Sequence, residues 1–366
     1  MNLLLPILLL SLHSAVPSPS PVDRASKLER IDHEFELADG PSWDGWSLVL
    51  PDVKGGTLYR YNPQKKVVTP LLKGAGRITA TIYNQGRLYL SDNANARIVQ
   101  LKGREKVTLQ QEDAVVKPPR RPTYHVVDHK GGIYVTLTGP GEVIHVAPDG
   151  KGRVVTNEAV SANGITLSPD QRTLYVASYK PKEILAWDVA DDGSLSNRRL
   201  FATMDDGEAL GADGMSIDRA GNVYCAGATD IWIWGPSGVL LDKLACPERP
   251  INCTFGGKDM RDLYITGFGG LYVQRMNIGG LPSHPASTPE DFDSREGTKP
   301  STVIGDDLDA HLDVVYGQDG DRKLLCDIFR PAGKKGETLP AVITIHGGGW
   351  LNGDRTKFRA MGLDFA

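Results

Sequence analysis

Apolar and polar residues alternate along most of this chain in short runs, and the runs recur. "SANGITLSPDQRTLYVAS" (161–178) and "GADGMSIDRAGNVYCAG" (211–227) share one skeleton: an acid or amide, a glycine, alternating apolar residues, a polar turn, and an apolar-Tyr pair followed by small residues. The same skeleton ends on Tyr89, Tyr134 and Tyr264, so with Tyr175 and Tyr224 there are five marks about 40–50 residues apart, a period that signals a repeat architecture. A sixth, less regular copy is "DGPSWDGWSLVLPD" (39–52). Each apolar-Tyr pair is followed by a second alternating run, such as "EVIHVAPDG" or "IWIWGPSG". Period-two runs bounded by Gly, Pro, Asn and Asp predict strands joined by hairpins. No helical periodicity with caps is sustained over 36–280. The expectation is an all-β six-bladed β-propeller over 36–280, each repeat covering its neighbour's apolar face. A β-sandwich is the alternative, but it would leave the recurrent phase unexplained.

The texture changes on either side. Residues 281–310 are rich in Pro and Ser without an apolar period, and predict a linker. Residues 311–366 suggest two strands of a different domain, "AHLDVVYGQDGDRKLLCDIFRP" and "PAVITIHGGGWLNGD". At the other end, "MNLLLPILLLSLHSAVPSPSP" carries an apolar run of about ten residues, too short to span a bilayer and suited to a signal-peptide core. The expectation is a signal peptide over 1–20 and export to a periplasmic or extracellular space, against a frayed apolar tail as the alternative. The net charge of −4 over 366 residues, without a basic cluster, sets nucleic-acid binding aside. Four cysteines are too few for a disulfide scaffold; Cys246 and Cys253 either bridge or stay free. Oligomeric state is not legible here.

Phase locates a site. Counting back a fixed distance from the turn before each Tyr lands on Asp39, Ile78, Thr123, Asn163, Asp213, and Asn252 or Cys253. If this strand is innermost in each repeat, these entry residues ring one mouth of a central channel, and Asp39, Asn163 and Asp213 converge. Two carboxylates and an amide carbonyl are hard oxygen ligands of the kind Ca²⁺, Mg²⁺ or Mn²⁺ accepts, and three protein ligands leave positions open. The competing reading is plain turn chemistry, because Asn-Gly and Asp-Gly are common hairpin pairs. Ile78 argues against it, since the phase itself does not demand a polar residue.

The repeats resemble the gluconolactonase/regucalcin (senescence marker protein) family through "DGPSW", "ANG" at 162–164, "ADGMSIDRAGNVY" at 212–224 and "CTFGGKDMRDLYIT" at 253–266. The resemblance implies a six-bladed propeller holding one divalent metal, Ca²⁺ first, with Zn²⁺, Mg²⁺ or Mn²⁺ as alternatives. It implies hydrolysis of sugar or related lactones, with ligands Asp39, Asn163 and Asp213. Three positions depart from the family: Asp39 stands where Glu is usual, and Thr123 and Tyr124 stand where Asn-Asp is usual. Metal binding therefore carries over better than substrate choice. In the expected mechanism Asp213 activates water, Arg121 orients a substrate carboxylate or hydroxyl (or forms a structural salt bridge), and Thr123 and Tyr124 touch substrate. A propeller that binds a ligand without chemistry is the alternative function.

"HGGGW" follows an apolar run, and its Gly347, Gly348 and Gly349 resemble the oxyanion-hole loop of esterase-type α/β-hydrolases. No G-x-S-x-G pentapeptide occurs, so an esterase reading predicts only an inactive fragment lacking its nucleophile.

Overall fold

The computed structural model of the chain describes residues 20–111, 120–205, 207, 211–282, 308–319 and 322–333. These residues are almost entirely strand; the one helical element among them is a single 3₁₀ turn, Asn93–Asn95. Six four-stranded sheets and one two-stranded hairpin make up the sheet structure. The first strands of the six sheets are Ser42–Trp43, Ile78–Asn84, Pro122–Val127, Ala162–Leu167, Met215–Ile217 and Pro250–Gly256. Within each sheet consecutive strands pair antiparallel, as short runs joined by Gly-rich turns require.

The tyrosine marks lie on the second strand of their sheets, at Tyr89, Tyr134, Tyr175, Tyr224 and Tyr264, and all five are buried. Each one packs into the sheet that follows it. Tyr224 meets Phe255 at 5.0 Å between ring centroids, and Tyr264 stacks on Trp43 at 5.9 Å. Six hydrophobic clusters result, each shared by consecutive sheets, and the sixth sheet packs in turn on the first. The recurrence in sequence therefore has a packing cause: five of the six sheets present the same large residue to the next, and the first presents Val49. A ring of this kind protects sheet edges that would otherwise invite aggregation.

The ring begins earlier in the chain than residue 36. Glu29–Arg30 is the outer strand of the last sheet, paired to Leu271–Arg275, and Val22 bridges Met276. The two residues of that strand are exposed and carry no apolar signal, so the alternating pattern could not reveal them. Joining the N-terminal segment to the last sheet ties both ends of the ring together.

Leu308–Asp319 and Arg322–Pro331 form the two-stranded antiparallel hairpin, in a second compact unit. The first three residues of the first strand, Leu308, Asp309 and Ala310, lie inside the segment expected to be linker. The glycines of "HGGGW" and most of residues 1–20 lie outside the described residues. The structure contains no bridge between Cys246 and Cys253: all four cysteines are free thiols. Burial pushes the Cys246 thiol up to about 12, so it stays protonated and inert.

Candidate active site

The site stands where the first strands enter their sheets. Asp39 and Asp213 are buried, at 6% and 7% exposure, although 174 positions separate them in sequence. Tyr124 joins them. Its hydroxyl donates to Asp39 Oδ1 at 2.7 Å and lies 3.2 Å from Asp213 Oδ1. Asp39 Oδ1 also accepts the Gly40 N–H at 2.7 Å, and the Asn252 side chain hydrogen-bonds the same carboxyl. Asn252 uses its own Oδ1 to accept the Cys253 N–H, which orients the amide.

Burial is the main cause of the electrostatics here. It pushes the Asp39 carboxyl up to about 8, helped by repulsion from Asp213. Asp213 rises to about 7 by burial, less than Asp39 because Arg249 offsets it with Nη2 3.7 Å from Oδ2. Burial and the two neighbouring carboxylates push the Tyr124 phenol well above its ordinary value, so it keeps its proton and acts as donor. Both acids hold protons that an unfolded chain, at about 3.8, would release. The contribution of these two groups to the stability of the metal-free fold is then greatest below about pH 4 and falls as pH rises toward 8. In chelator, the melting temperature is expected to drop between pH 5 and 8, and less steeply in Asp39→Asn. Identical profiles for the two proteins would contradict this charge assignment.

Asn163 lies inside the strand Ala162–Leu167, and its Oδ1 is buried with no hydrogen-bond partner among the described residues. Neither Asn163 nor Asp213 has a positive φ, and the glycines that follow them lie outside the left-handed region too. The hairpin-turn reading of Asn-Gly and Asp-Gly therefore fails. These glycines serve close approach instead. A Cβ on Gly164 would stand 2.1 Å from the Asp213 carbonyl, and one on Gly214 would stand 2.0 Å from Asn252 Cγ. Each Asx-Gly pair packs against the next first strand, so the bare glycine is what lets successive entry residues crowd together.

Thr123 and Tyr124 divide the roles expected of both. Tyr124 turns to the carboxylates, whereas Thr123 Oγ1 pairs with Thr138 Oγ1 at 2.7 Å in a network between sheets. The ladder slips between Pro122 and His125, one of four such irregularities at first-strand entries; the others are Ile78/Ala80, Ala162/Ile165 and Pro250/Asn252. A bulge re-aims side chains that strict alternation would send elsewhere. Arg121 precedes the strand and is exposed, and neither it nor Arg249 lines the cavity described below. The arginine that reaches Asp213 is Arg249, which the sequence analysis missed. Its position three residues before Asn252, at a strand entry, was the available signal.

Below the site the first strands enclose a cavity of about 180 Å³, lined among others by Gly40, Tyr124, Ile165, Met215, Asn252 and Phe255. The two side chains that hydrogen-bond Asp39, Tyr124 and Asn252, are part of its wall. Among the described residues no three His, Cys, Asp or Glu side chains are grouped to hold a metal ion. The oxygen set offered instead is two carboxylates joined through Tyr124, with the amide of Asn163, whose neighbour Gly164 packs on the Asp213 backbone. It suits a hard divalent cation on two counts: the carboxylates repel each other, and the buried amide oxygen lacks a donor.

The model of the SMP-30/Gluconolactonase/LRE-like region matches residues 37–268, which contain every residue of this site. The gluconolactonase of Zymomonas mobilis is 25% identical over 281 residues, with 65% of this chain and 78% of that protein covered. Pentonolactonase XacC of Haloferax volcanii is also 25% identical, over 261 residues, covering 66% of this chain and 84% of that one. Among solved structures, the calcium-binding protein regucalcin of Agrobacterium tumefaciens superposes with a TM-score of 0.61 at 15% identity, over 71% of this chain and 97% of its own. A propeller fold and more than half of the chain are thus accounted for, and the chain belongs to the SMP-30/gluconolactonase/LRE-like family.

Proposed function

We infer that this chain is a lactone hydrolase acting on sugar or related lactones, and that its six four-stranded sheets are the six blades of a propeller around the site. Gluconolactonase and pentonolactonase relatives support the reaction class. The observation that carries it is the pair of buried carboxylates bridged by Tyr124, a residue that is also part of the wall of a partly open cavity. Asp39, Asn163 and Asp213 would hold one divalent metal, with Ca²⁺ favoured by the regucalcin likeness. When bound, such a cation supplies Lewis-acid polarisation of a carbonyl.

The chain's own residues do the rest. Asp213, a buried carboxylate held between Tyr124 and Arg249, would take a proton from the attacking water. The water oxygen bonds to the acyl carbon, the ring C–O bond breaks, and the proton passes to the departing ring oxygen, leaving a hydroxy acid. Tyr124 holds the two carboxylates in register, and Asn252 fixes Asp39 from the other side. Burial takes both carboxylates out of bulk water, which strengthens these interactions.

The test is acid release from a panel of aldonolactones, with and without chelator. Turnover that chelator abolishes and Ca²⁺ restores is the expected result. Turnover indifferent to chelator would remove the metal from this reading, and lactone binding without any turnover would make the propeller a binding module. The apolar run ahead of Ser20 supports export through a signal peptide. Among the described residues no helix is long and apolar enough to cross a membrane.

A further inference from the structure

Arg249 is more elaborately held than charge compensation of Asp213 requires. Its Nη2 donates to the Tyr179 hydroxyl at 2.7 Å, a better contact than the 3.7 Å approach to Asp213 Oδ2. The Tyr179 backbone is held by its N–H, which donates to the Ser161 carbonyl at 3.2 Å. The guanidinium carbon stands 5.6 Å from the Phe268 ring centroid, and the Arg249 carbonyl accepts the Phe268 N–H at 3.4 Å. Phe268 is exposed, and Lys54 approaches its ring at 6.0 Å. Two cations thus converge on one aromatic side chain beside the site. The adjacent acid, Glu248, hydrogen-bonds Tyr272.

What remains unused on Arg249 is its Nε–H, which is buried and has no acceptor among the described residues. A buried donor without a partner costs free energy unless a ligand supplies the acceptor. Guanidinium donors are arranged as a fork that fits a carboxylate, and the side chain is held by a hydroxyl on one side and a ring on the other. About one-fifth of the Arg249 side chain is open to solvent, although its Nε is not.

We propose that Arg249 is a specificity-determining residue that receives a carboxylate carried by the lactone, so that the preferred substrates are acidic lactones with a second, non-ester carboxyl group. This rests on the lactone-hydrolase reading above and narrows its substrate class. A carboxylate seated on Arg249 would anchor the ring substituent a few ångströms from Asp213, leaving the ester carbonyl to face the two acids. Lys54 adds positive charge at the rim and favours the approach of an anion. Charge compensation alone predicts something different: loss of Arg249 would then slow every lactone equally through Asp213.

The experiment compares an aldarolactone, bearing the free carboxyl, with the aldonolactone that has hydroxymethyl at the same carbon. Wild type, Arg249→Gln and Arg249→Lys are assayed with Ca²⁺ present. Wild type is expected to show a KM at least tenfold lower for the acidic lactone. Arg249→Gln should raise that KM roughly 10–100-fold relative to the neutral lactone's, the worth of a charge-assisted pair, over and above a fall in kcat common to both lactones from the lost compensation of Asp213. Arg249→Lys, which keeps charge but loses the fork, should fall between. Equal KM values in wild type, or a ratio of the two KM values that Arg249→Gln leaves unchanged, would overturn the proposal and leave lactone hydrolysis standing. Calorimetry with the open-chain aldaric and aldonic acids reads the same discrimination without turnover. Preference for the diacid in wild type and its loss in Arg249→Gln supports the role of Arg249 even where neither lactone is hydrolysed; equal binding of the two acids defeats it.

Discussion

Asp213→Asn is expected to lower kcat by a factor on the order of 10²–10⁴, the usual worth of a general base, with saturating substrate and Ca²⁺. The substitution isolates the proton-accepting role. The backbone around residue 213 is held by bonds that the side chain does not make: Asp213 N–H to the Ala226 carbonyl at 2.9 Å and Gly214 N–H to the Ile251 carbonyl at 2.8 Å. An amide oxygen at 213 can still accept from Tyr124. The metal-free fold should therefore be unharmed, or slightly more stable near pH 8, because one buried carboxylate of the pair is gone. Asp39→Asn is the control, since Asp39 is assigned ligand duty alone. Its deficit should be largely recovered by raising Ca²⁺, whereas the Asp213→Asn deficit should persist. Parent turnover in Asp213→Asn would end the assignment of Asp213 as base.

Gly164→Ala is the second large effect, and it acts through space that one methyl group would fill. The added Cβ would sit 2.1 Å from the Asp213 carbonyl oxygen and 2.7 Å from Met215 Cγ. The carbonyl is backbone and cannot swing away, so two first strands must separate. Overpacking of this kind costs about 1–3 kcal/mol, and here it also displaces Asn163 and Asp213 relative to each other. Misplacement by about 1 Å can cost on the order of 10²-fold in rate, so activity should fall with stability. Gly235→Ala is the matched comparison. Its Cβ would meet Leu241 at 3.5 Å, an ordinary contact, and a change within about 0.5 kcal/mol is expected. Chemical denaturation of the two variants checks both numbers. Equal stabilities would mean that the close approach at Gly164 relaxes without cost, and the crowding argument would fail.

These two residues also mark how far the sequence could be read. The repeat phase put Asp39, Asn163 and Asp213 at equivalent strand entries, and that was legible because the same packing demand recurs in each sheet and leaves a Tyr as its trace in five of the six. Asx-Gly was ambiguous, since turn geometry and close approach both select glycine; only φ and the neighbouring strand separate them. Thr123 and Tyr124 were both expected at substrate. Their separation depends on a slipped ladder between Pro122 and His125, and no residue in that stretch announces a bulge.

By itself the sequence determined the strand-rich repeat, its period, which face of each strand is apolar, and which acids and amide share a phase. Those are properties of local alternation and recurrence, and they need no knowledge of distant partners. Tertiary structure alone decided that Glu29–Arg30 completes the last sheet, that Tyr124 bridges two acids, and that Arg249, rather than Arg121, stands beside Asp213. Each of these depends on where separate strands meet and how a bulge turns a side chain. Such contacts are set by packing across the ring, between residues that carry no sign of one another along the chain.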